Sequence, residues 1–403
     1  MKRIVLITSG QPSTNPRLVK EADALVDSGY FVTIVYQYVS AWATEADKSL
    51  LKEKSWRALR VGGDPTSEKK LYFKTRLIYK AALAFSKRFG IYKIFAKFAI
   101  GRCTFLLERE AKKLKADLYI AHNLAALPAA FYSSKKNNAK LGFDAEDFHR
   151  HEVFDEPSHF DVRLKAYTED FYLRYVDYFT TSSNLIADAY SKIYPKLKPI
   201  VVNNVFELKY QPFLELNNSK LLKLLWFSQT VGKNRGLEVV IEALNIVNNP
   251  KIQLHLLGNC SKDIELYLNN LASFKITYHE PLPGNEIFKF ASRFDIGLAL
   301  EPGFSLNNEI ALSNKIFTYL LAGLNIIASN TKAQEKFMTE NPSIGQCFSI
   351  GNITELCSIL TNLYDDRALL NNKKRNSYQL AQLKYNWEIE SRTWLLLIAK
   401  KLD

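Results

Sequence analysis

Short apolar runs of strand length alternate with helix-length amphipathic segments along almost the whole chain of 403 residues. A strand is predicted at 4–8, a helix at 16–28 and a second strand at 31–36. Parallel strands need a crossover connection, usually a helix, so this alternation predicts parallel sheets. We therefore expect an α/β fold.

The alternation is interrupted at a loop through Pro212 and the polar stretch Asn217-Asn218-Ser219. A chain of this length is expected to hold about two domains. We predict an N-terminal Rossmann-like domain at 1–206, a C-terminal one at 207–385, and a helix at 386–403 that packs back on the first domain. Further strands are predicted at 118–121, 140–143, 178–181, 199–202, 222–227, 253–257, 275–279, 296–300 and 324–329.

The segment EPGFSLNNEIALSNKIFTYLLAG, residues 301–323, joins a strand to a helix that is predicted to begin at Ser313-Asn314-Lys315. A helix N-terminus carries unpaired N–H groups and about half a positive charge, and with Ser, Asn and Lys it forms a phosphate seat. Glu301 and Glu309 are placed to bind hydroxyl groups of a sugar or ribose. The segment predicts a site for an anionic ligand rich in hydroxyls, such as a nucleotide sugar.

A second loop with phosphate-binding character, SQTVGKNRG, follows the strand predicted at 222–227. Thr230 and Gly232 lie in this loop, Arg235 lies at the start of the next helix, and Gly258 ends the following strand. Arginine binds phosphate oxygens through two N–H groups, so Arg235 is a candidate diphosphate ligand. The alternative is a solvated charge at a helix end. The loop lacks the spacing of a Walker motif.

Polar side chains also follow strands of the N-terminal half. His122 comes directly after the strand predicted at 118–121, and Asp144 and Glu146 follow the next strand. A lone histidine is either a structural residue or, at a strand end, a ligand contact, and both interpretations stay open. The carboxylates are suited to orient an acceptor hydroxyl. We assign Asn15, Arg17, Asp144 and Glu146 to acceptor binding.

The same acidic loop, DAEDFHRHE, offers other candidates that we interpret differently. Asp147 is interpreted as a solvated charge. His149, His151 and Glu152 match no standard zinc spacing, so no metal site is predicted there.

The formal charge of +13 is concentrated in one segment. Residues 65–115 contain fourteen Lys or Arg against three Glu, a net charge of +11, interleaved with aromatic side chains. Two interpretations stay open: a solvated basic face over an inward aromatic core, or amphipathic helices on an anionic membrane surface. Nucleic acid is disfavoured because no recognised nucleic-acid motif accompanies the charge.

Taken together, these motifs resemble the retaining GT-B glycosyltransferases of family 4 over nearly the whole chain. The resemblance is carried by PSTNPRLVKEADALVDSGYFVTIV, DLYIAHNLAALPAA, LGFDAEDF, TTSSNLIADAY, LLWFSQTVGKNRGLEVVIEAL and SNKIFTYLLAG with LNIIAS. It implies two Rossmann-like domains facing a cleft, with the C-terminal helix crossing back to the first domain. Two departures concern the donor site: Thr230 stands where the family has Arg, and alignment on SNKIFTYLLAG places Thr318 where the family has its second Glu.

The resemblance implies a sugar transfer from a nucleoside diphosphate sugar to a hydroxyl, with retained anomeric configuration and no metal or other cofactor. It implies that His122, Glu301 and Glu309 act in catalysis and that Thr230, Gly232, Arg235, Gly258, Ser313, Asn314 and Lys315 bind the donor. A UDP-sugar is favoured and a GDP-sugar is the alternative.

We expect the acceptor to be a glycan or lipid-linked molecule of cell-surface polysaccharide synthesis. We also expect the protein to be cytoplasmic, or peripheral on the inner face of the cytoplasmic membrane, since no segment reads as a signal peptide or membrane span. Two other functions stay open: a sugar-nucleotide epimerase of the same fold, or a catalytically silent subunit of a glycan-assembly complex.

Overall fold

The computed structural model of the protein describes residues 1–216 and 219–403, so Asn217 and Asn218 of the predicted loop lie outside the described residues. The strands are β1 Arg3–Thr8, β2 Phe31–Gln37, β3 Arg57–Val61, β4 Leu118–His122, β5 Lys140–Ala145, β6 Tyr178–Thr181, β7 Ile200–Val201, β8 Leu222–Thr230, β9 Ile252–Asn259, β10 Thr277–His279, β11 Ile296–Ala299, β12 Asn325–Ser329 and β13 Gly345–Phe348.

The helices occupy the connections between these strands and the C-terminal region. They are α1 Pro16–Asp27, α2 Ala41–Lys52, α3 Lys69–Phe89, α4 Lys93–Ala99, α5 Thr104–Ala111, α6 Leu127–Asn137, α7 Phe160–Tyr172, α8 Asn184–Ile193, α9 Leu237–Val247, α10 Lys262–Leu271, α11 Glu286–Ala291, α12 Leu306–Ile310, α13 Asn314–Ala322, α14 Lys332–Glu340, α15 Ile353–Asp365, α16 Arg367–Leu383 and α17 Trp387–Leu402.

The strands form two parallel sheets with equivalent strand orders. The first sheet is ordered β3-β2-β1-β4-β5-β6-β7 and the second β10-β9-β8-β11-β12-β13. In each sheet the direction of strand addition reverses once, between β1 and β4 and between β8 and β11. Open α/β sheets bind ligands in the crevice that such a reversal leaves at the carboxyl ends of the strands. Each sheet therefore has one switch point at which a site is expected.

Central strands such as β4 and β12 are buried at every residue. Parallel strands covered by helices on both faces read as continuous apolar runs, which explains these sequences. In the second sheet Leu224, Trp226 and Leu298 belong to one buried cluster with Val240 of α9. Burying each side chain of this size contributes about 1.5–3 kcal/mol.

Helix α1 places polar side chains beneath the switch point of the first sheet. Its N-cap is Asn15, whose Oδ1 accepts a hydrogen bond from the Leu18 N–H at 2.9 Å, and Pro16 occupies the first helical position. Both features favour a helix start at this point. Arg17 and Glu21 are one helical turn apart and both are fully buried. The start of α1 therefore determines which charged side chains enter the interior.

The chain divides into two compact units. The first comprises Met1–Val202, Ser305–Asn307 and Ser391–Asp403, and the second comprises Asn203–Phe304 and Asn308–Glu390. Each unit contains one sheet. None of the helices in the described part of the chain is long and apolar enough to cross a membrane.

Candidate active site

His122 is the last residue of β4, at the switch point of the first sheet, and its side chain is fully buried. Its Nε2 lies 3.2 Å from Oε2 of Glu21, and its Nδ1 lies 3.4 Å from Oδ2 of Asp144. Among the described residues neither ring nitrogen has a partner in hydrogen-bond geometry, so these are contacts between charges. Both nitrogens of His122 therefore face carboxylates.

Asp144, the last but one residue of β5, is held on two sides. Arg17 donates from Nε and Nη2 to the two Asp144 carboxylate oxygens at 2.6 Å each, and from Nη1 to the Val202 carbonyl. The Thr180 hydroxyl donates to Asp144 Oδ1 at 2.6 Å. Paired N–H bonds of this kind orient a guanidinium and a carboxylate strongly. Arg17 and Asp144 thus form a rigid buried pair.

The charges of this cluster shift the pKa of each member. Burial lowers the pKa of His122, but Glu21 and the contacts with Asp144 and Glu146 outweigh it, and the pKa is raised well above its ordinary value. Burial raises the pKa of Glu21 more than His122 and Arg17 lower it. For Asp144 the effects of Arg17 and His122 exceed that of burial, and the pKa falls. The raised pKa of His122 favours the protonated imidazolium, which suits an electrostatic role better than that of a proton acceptor.

Glu146 is the most accessible member of the group, since its side chain is 25% exposed. Asn15 donates from Nδ2 to Glu146 Oε1 at 2.6 Å, and the same oxygen lies 3.7 Å from His122 Nδ1. The structure thus brings together all the predicted acceptor residues with His122, but Arg17 and Asp144 lie behind Glu146 instead of at the surface.

The interpretation of Asp147 as a solvated charge holds only in part, because its side chain is half-buried. Asn307 donates from Nδ2 to Asp147 Oδ1 at 2.9 Å, and burial raises the pKa of the Asp147 carboxyl. A short segment far along the chain supplies this partner, so no pattern near Asp147 could indicate it.

Glu301 follows β11 at the switch point of the second sheet and is the centre of a second polar cluster. Its Oε1 accepts from Lys315 Nζ at 2.9 Å and from the Ser313 hydroxyl at 2.7 Å. Its Oε2 accepts from Asn308 Nδ2 at 3.4 Å. The end of β11 and the start of α13 are therefore joined by the ion pair between Glu301 and Lys315.

The pKa of Glu301 reflects these partners. Burial raises the pKa of its carboxyl, but the charge and hydrogen bond of Lys315, with smaller contributions from Ser313 and Asn308, lower it to about 2. Glu301 is therefore ionised at neutral pH and offsets the charge of Lys315.

The start of α13 is open to a ligand. Ser313 is its N-cap, but the Ser313 side chain makes no capping hydrogen bond, and its hydroxyl donates to Glu301. Asn314 is exposed and Lys315 is half-buried, with its Nζ 5.8 Å from the centre of the Trp226 ring. Backbone N–H groups of the first turn, left without a side-chain cap, are suited to bind phosphate oxygens.

The loop between β8 and α9 places the other predicted donor residues. Thr230 and Arg235 are exposed and Gly232 is half-buried, and Arg235 makes no ion pair with any described carboxylate. Gly236 is the N-cap of α9 and has φ 77°. Gly258 has φ 143°, and a Cβ there would lie 2.1 Å from the Ser228 carbonyl oxygen, so the close approach of the paired strands β8 and β9 requires glycine.

The two candidates for the second acidic position differ in their surroundings. Glu309 is half-buried, and its Oε2 accepts from the Lys332 N–H at 3.3 Å, at the start of α14. Thr318 is 2% exposed, and its hydroxyl donates to the Asn314 carbonyl within α13. A buried threonine with its hydroxyl used inside the helix has no group left for a ribose. Glu309 is the candidate that keeps an accessible carboxylate.

Glu21 is the site residue that sequence reasoning missed. Its spacing of four residues from Arg17 on α1 was the available signal, since such residues share a helix face. With His122 and Asp144, Glu21 offers three ligand atoms within 4.8 Å of one another, the arrangement closest to a metal site among the described residues. Both oxygens of Asp144 are bonded to Arg17, so a metal cation would have to approach a guanidinium.

The two parallel sheets form two Rossmann-like domains with the GT-B fold. The chain is similar to sucrose-phosphate synthase from Thermosynechococcus elongatus, with 14% identity and a TM-score of 0.69 over 99% of each chain. A glycosyltransferase from Rickettsia africae matches with 14% identity and a TM-score of 0.70, over 100% of this chain and 99% of that one.

A third similar structure is Anabaena HepE in complex with UDP and glucose, with 14% identity and a TM-score of 0.70, over 99% of this chain and all of the other. No protein-family model and no curated protein matches the chain.

Proposed function

We propose that the protein is a retaining glycosyltransferase of the family 4 type that transfers a sugar from a nucleoside diphosphate sugar to a hydroxyl group. The observation that carries this proposal is the Glu301–Lys315–Ser313 cluster at the uncapped start of α13. It combines a cation and helix N–H groups without a side-chain cap, which suit a diphosphate, with a carboxylate, which suits sugar hydroxyls.

In this proposal the donor diphosphate is bound by Lys315, the first N–H groups of α13 and Arg235. Lys315 is pre-positioned by Glu301, whereas Arg235 is exposed. Thr230, Gly232 and Gly258 shape the β8–α9 connection, and Asn314 contributes a polar side chain at the start of α13. Glu309 binds ribose or sugar hydroxyls. A UDP-sugar is favoured, supported by the GT-B fold that the chain shares with the UDP-bound HepE structure, and a GDP-sugar is the alternative.

The acceptor is oriented by Glu146 with Asn15, which form the accessible part of the first-unit cluster. Arg17 and Asp144 position these groups from behind. His122, at the end of β4, acts electrostatically, because its raised pKa favours the charged imidazolium.

The proposed step breaks the bond between the anomeric carbon and the diphosphate oxygen. The acceptor oxygen forms its bond on the same face of the sugar, and its proton passes to the departing phosphate oxygen. Lys315, Arg235 and the helix N–H groups stabilise the negative charge that develops on the leaving group. No metal or cofactor is assigned a part in this step.

We further propose a glycan or lipid-linked acceptor from cell-surface polysaccharide synthesis and a cytoplasmic location, peripheral on the inner face of the cytoplasmic membrane. Incubation with UDP-sugars, with and without candidate acceptors, tests the activity. A transferase consumes the donor at a useful rate only when the acceptor is present, and its product keeps the anomeric configuration of the donor.

The outcomes of this experiment separate the other functions. Conversion of the donor sugar without an acceptor would identify an epimerase. No conversion with any donor and acceptor pair would favour a catalytically silent subunit. Lys315→Ala is the site variant, and Arg293→Ala, an exposed arginine in the same unit, is its matched control.

A further inference from the structure

Helix α3 carries a row of large apolar side chains that are exposed. Phe73 is 60% exposed, Leu77 70%, Phe85 49% and Phe89 58%. Phe73 and Leu77 are about one turn apart and share one side of the helix, which we call the outer face of α3, whereas Phe85 and Phe89 lie about 120° further round. Exposed apolar side chains grouped on one helix are unusual on a solvated surface and indicate an interaction site.

The outer face is not the side of α3 that packs into the first unit. The packed side includes Thr75, Ala82 and Ser86, which are all buried. Arg102 anchors it by donating from Nη1 to the Thr75 hydroxyl at 2.8 Å. Phe85 stacks on Phe95 of α4, with 5.6 Å between the ring centroids, whereas Phe73 and Leu77 project from the outer face. The interpretation that the aromatic side chains of this segment all pack inward is therefore wrong for Phe73.

The charge of α3 has one sign. The helix contains seven basic residues and no Asp or Glu, and all seven basic side chains are exposed. None of them pairs with a carboxylate in the part of the chain that the structure describes. The seven are Lys69, Lys70, Lys74, Arg76, Lys80, Lys87 and Arg88.

We infer that the outer face of α3 docks the protein on an anionic lipid bilayer, with α3 lying in the plane of the interface. Apolar side chains enter the headgroup region while lysine and arginine contact lipid phosphates, which is how basic amphipathic helices bind membranes. A helix of 21 residues is about 31 Å long, so cations from several turns can contact the surface together with Phe73 and Leu77.

The cations and apolar side chains of α3 argue against two other occupants, a second copy of the chain and nucleic acid. A second copy of the chain would bring the same seven cations together, and like charges repel in a self-complementary interface. Nucleic acid would use the cations but leave Phe73 and Leu77 without a role. An anionic bilayer would contact both the cations of α3 and its exposed apolar side chains.

The test is cosedimentation with phosphatidylcholine vesicles and with vesicles that also contain phosphatidylglycerol. The apolar variant is Phe73→Ser/Leu77→Ser, and its control is Leu266→Ser/Leu271→Ser on α10, where both leucines are exposed. The charge variant is Lys70→Gln/Lys74→Gln/Lys80→Gln, and its control is Lys262→Gln/Lys275→Gln/Lys289→Gln in the second unit, where the three lysines are exposed.

We expect the wild type and both controls to bind only the anionic vesicles at low salt and to dissociate at high salt. Each cation near an anionic surface contributes about fivefold, so the charge variant should bind at least about tenfold more weakly. The apolar variant should also bind more weakly.

Absence of wild-type binding at low salt, or equal binding by the wild type and both α3 variants, would overturn the inference. Self-association without vesicles that both variants abolish would identify a second copy as the occupant and would also overturn it. Unchanged circular dichroism shows that the variants are folded. The result does not depend on the proposed reaction, which is assayed without vesicles.

Discussion

At the scale of single residues, the proposed donor site combines a cation that is paired with a carboxylate and a cation that is not. Lys315 is paired with Glu301 at 2.9 Å, whereas Arg235 has no carboxylate partner among the described residues. A diphosphate that binds near Lys315 would meet both the cation and Glu301, so much of the net attraction must come from Arg235 and the start of α13. Both basic residues are therefore expected to matter.

The first prediction concerns these two cations. Arg235→Ala and Lys315→Ala should each lower kcat/KM by roughly a hundredfold, about 2.7 kcal/mol, if their charges stabilise the leaving group. Steady-state kinetics measures the effect, with Arg293→Ala expected to leave the rate unchanged. Wild-type kinetics in both site variants would exclude this diphosphate clamp.

Glu301 and Thr318 give the second prediction. Glu301→Gln removes the charge that pairs with Lys315, whereas Thr318→Ala removes only a hydroxyl that bonds within α13. We expect kcat/KM to fall at least about tenfold in the first variant and to change little in the second. Kinetics of the two purified variants side by side is the measurement. An equal or reversed order would mean that the donor lies elsewhere.

A third prediction concerns the stability of the first unit. Arg17→Met leaves Asp144 buried without its guanidinium partner, and breaking such a pair costs about 3–5 kcal/mol. Urea unfolding should show this loss. Lys54→Met is the matched control, because its pair with Asp23 is partly exposed and contributes about 0–1 kcal/mol. Similar unfolding midpoints for the two variants would contradict a rigid buried pair.

The sequence predicted where many residues of each candidate site lie, but not the contacts that they make. Residues at strand ends and helix starts, such as His122 and Lys315, could be placed because parallel strands end at a common edge. The burial of Arg17 and the role of Glu21 depend on which side of α1 faces the sheet. Asp147 bonds to Asn307, a contact between residues far apart in sequence that no local pattern contains.

At the scale of elements, two parallel strands of the second sheet bring a pair of histidines together. His255 Nδ1 and His279 Nε2 are 3.0 Å apart, and their rings stack between β9 and β10. Burial, and then His279 and Lys223, lower the pKa of His255 to about 4. Protonation of His255 therefore opposes the folded state.

The fourth prediction follows from this lowered pKa. The pKa of His255 in the folded state is below the ordinary value of about 6.5. The stability that neutral His255 gives the folded state is therefore fully present above about pH 6.5. It is lost as the pH falls from there towards about 4. The difference in unfolding midpoint between wild type and His255→Gln should shrink across this interval. A difference that is constant from pH 7.5 to pH 4 would contradict it.

The strands that the sequence did not predict, β3 and β13, each lie at the edge of a sheet. The central strands were predicted to within one to three residues at each end, because burial on both faces gives an unbroken apolar run. Strand β3, with the sequence RALRV, has no fully buried residue. Strand β13 starts at Gly345 and is half-buried at its centre. Edge strands face solvent on one side and carry a weaker hydrophobic signal, and the preceding α2 was missed with β3.

At the scale of the whole molecule, the fold is shared by proteins that differ in substrate, so the ligand must be identified by binding. The last prediction is that UDP raises the thermal unfolding midpoint more than GDP, ADP or CMP does. A ligand at a hundred times its Kd stabilises the folded state by about 2.7 kcal/mol. Lys315→Ala should lose the shift, and Arg293→Ala should keep it. A shift with GDP alone would mean that the nucleotide base of the donor is guanine instead of uracil. No shift with any nucleotide would contradict a donor site at Glu301 and Lys315.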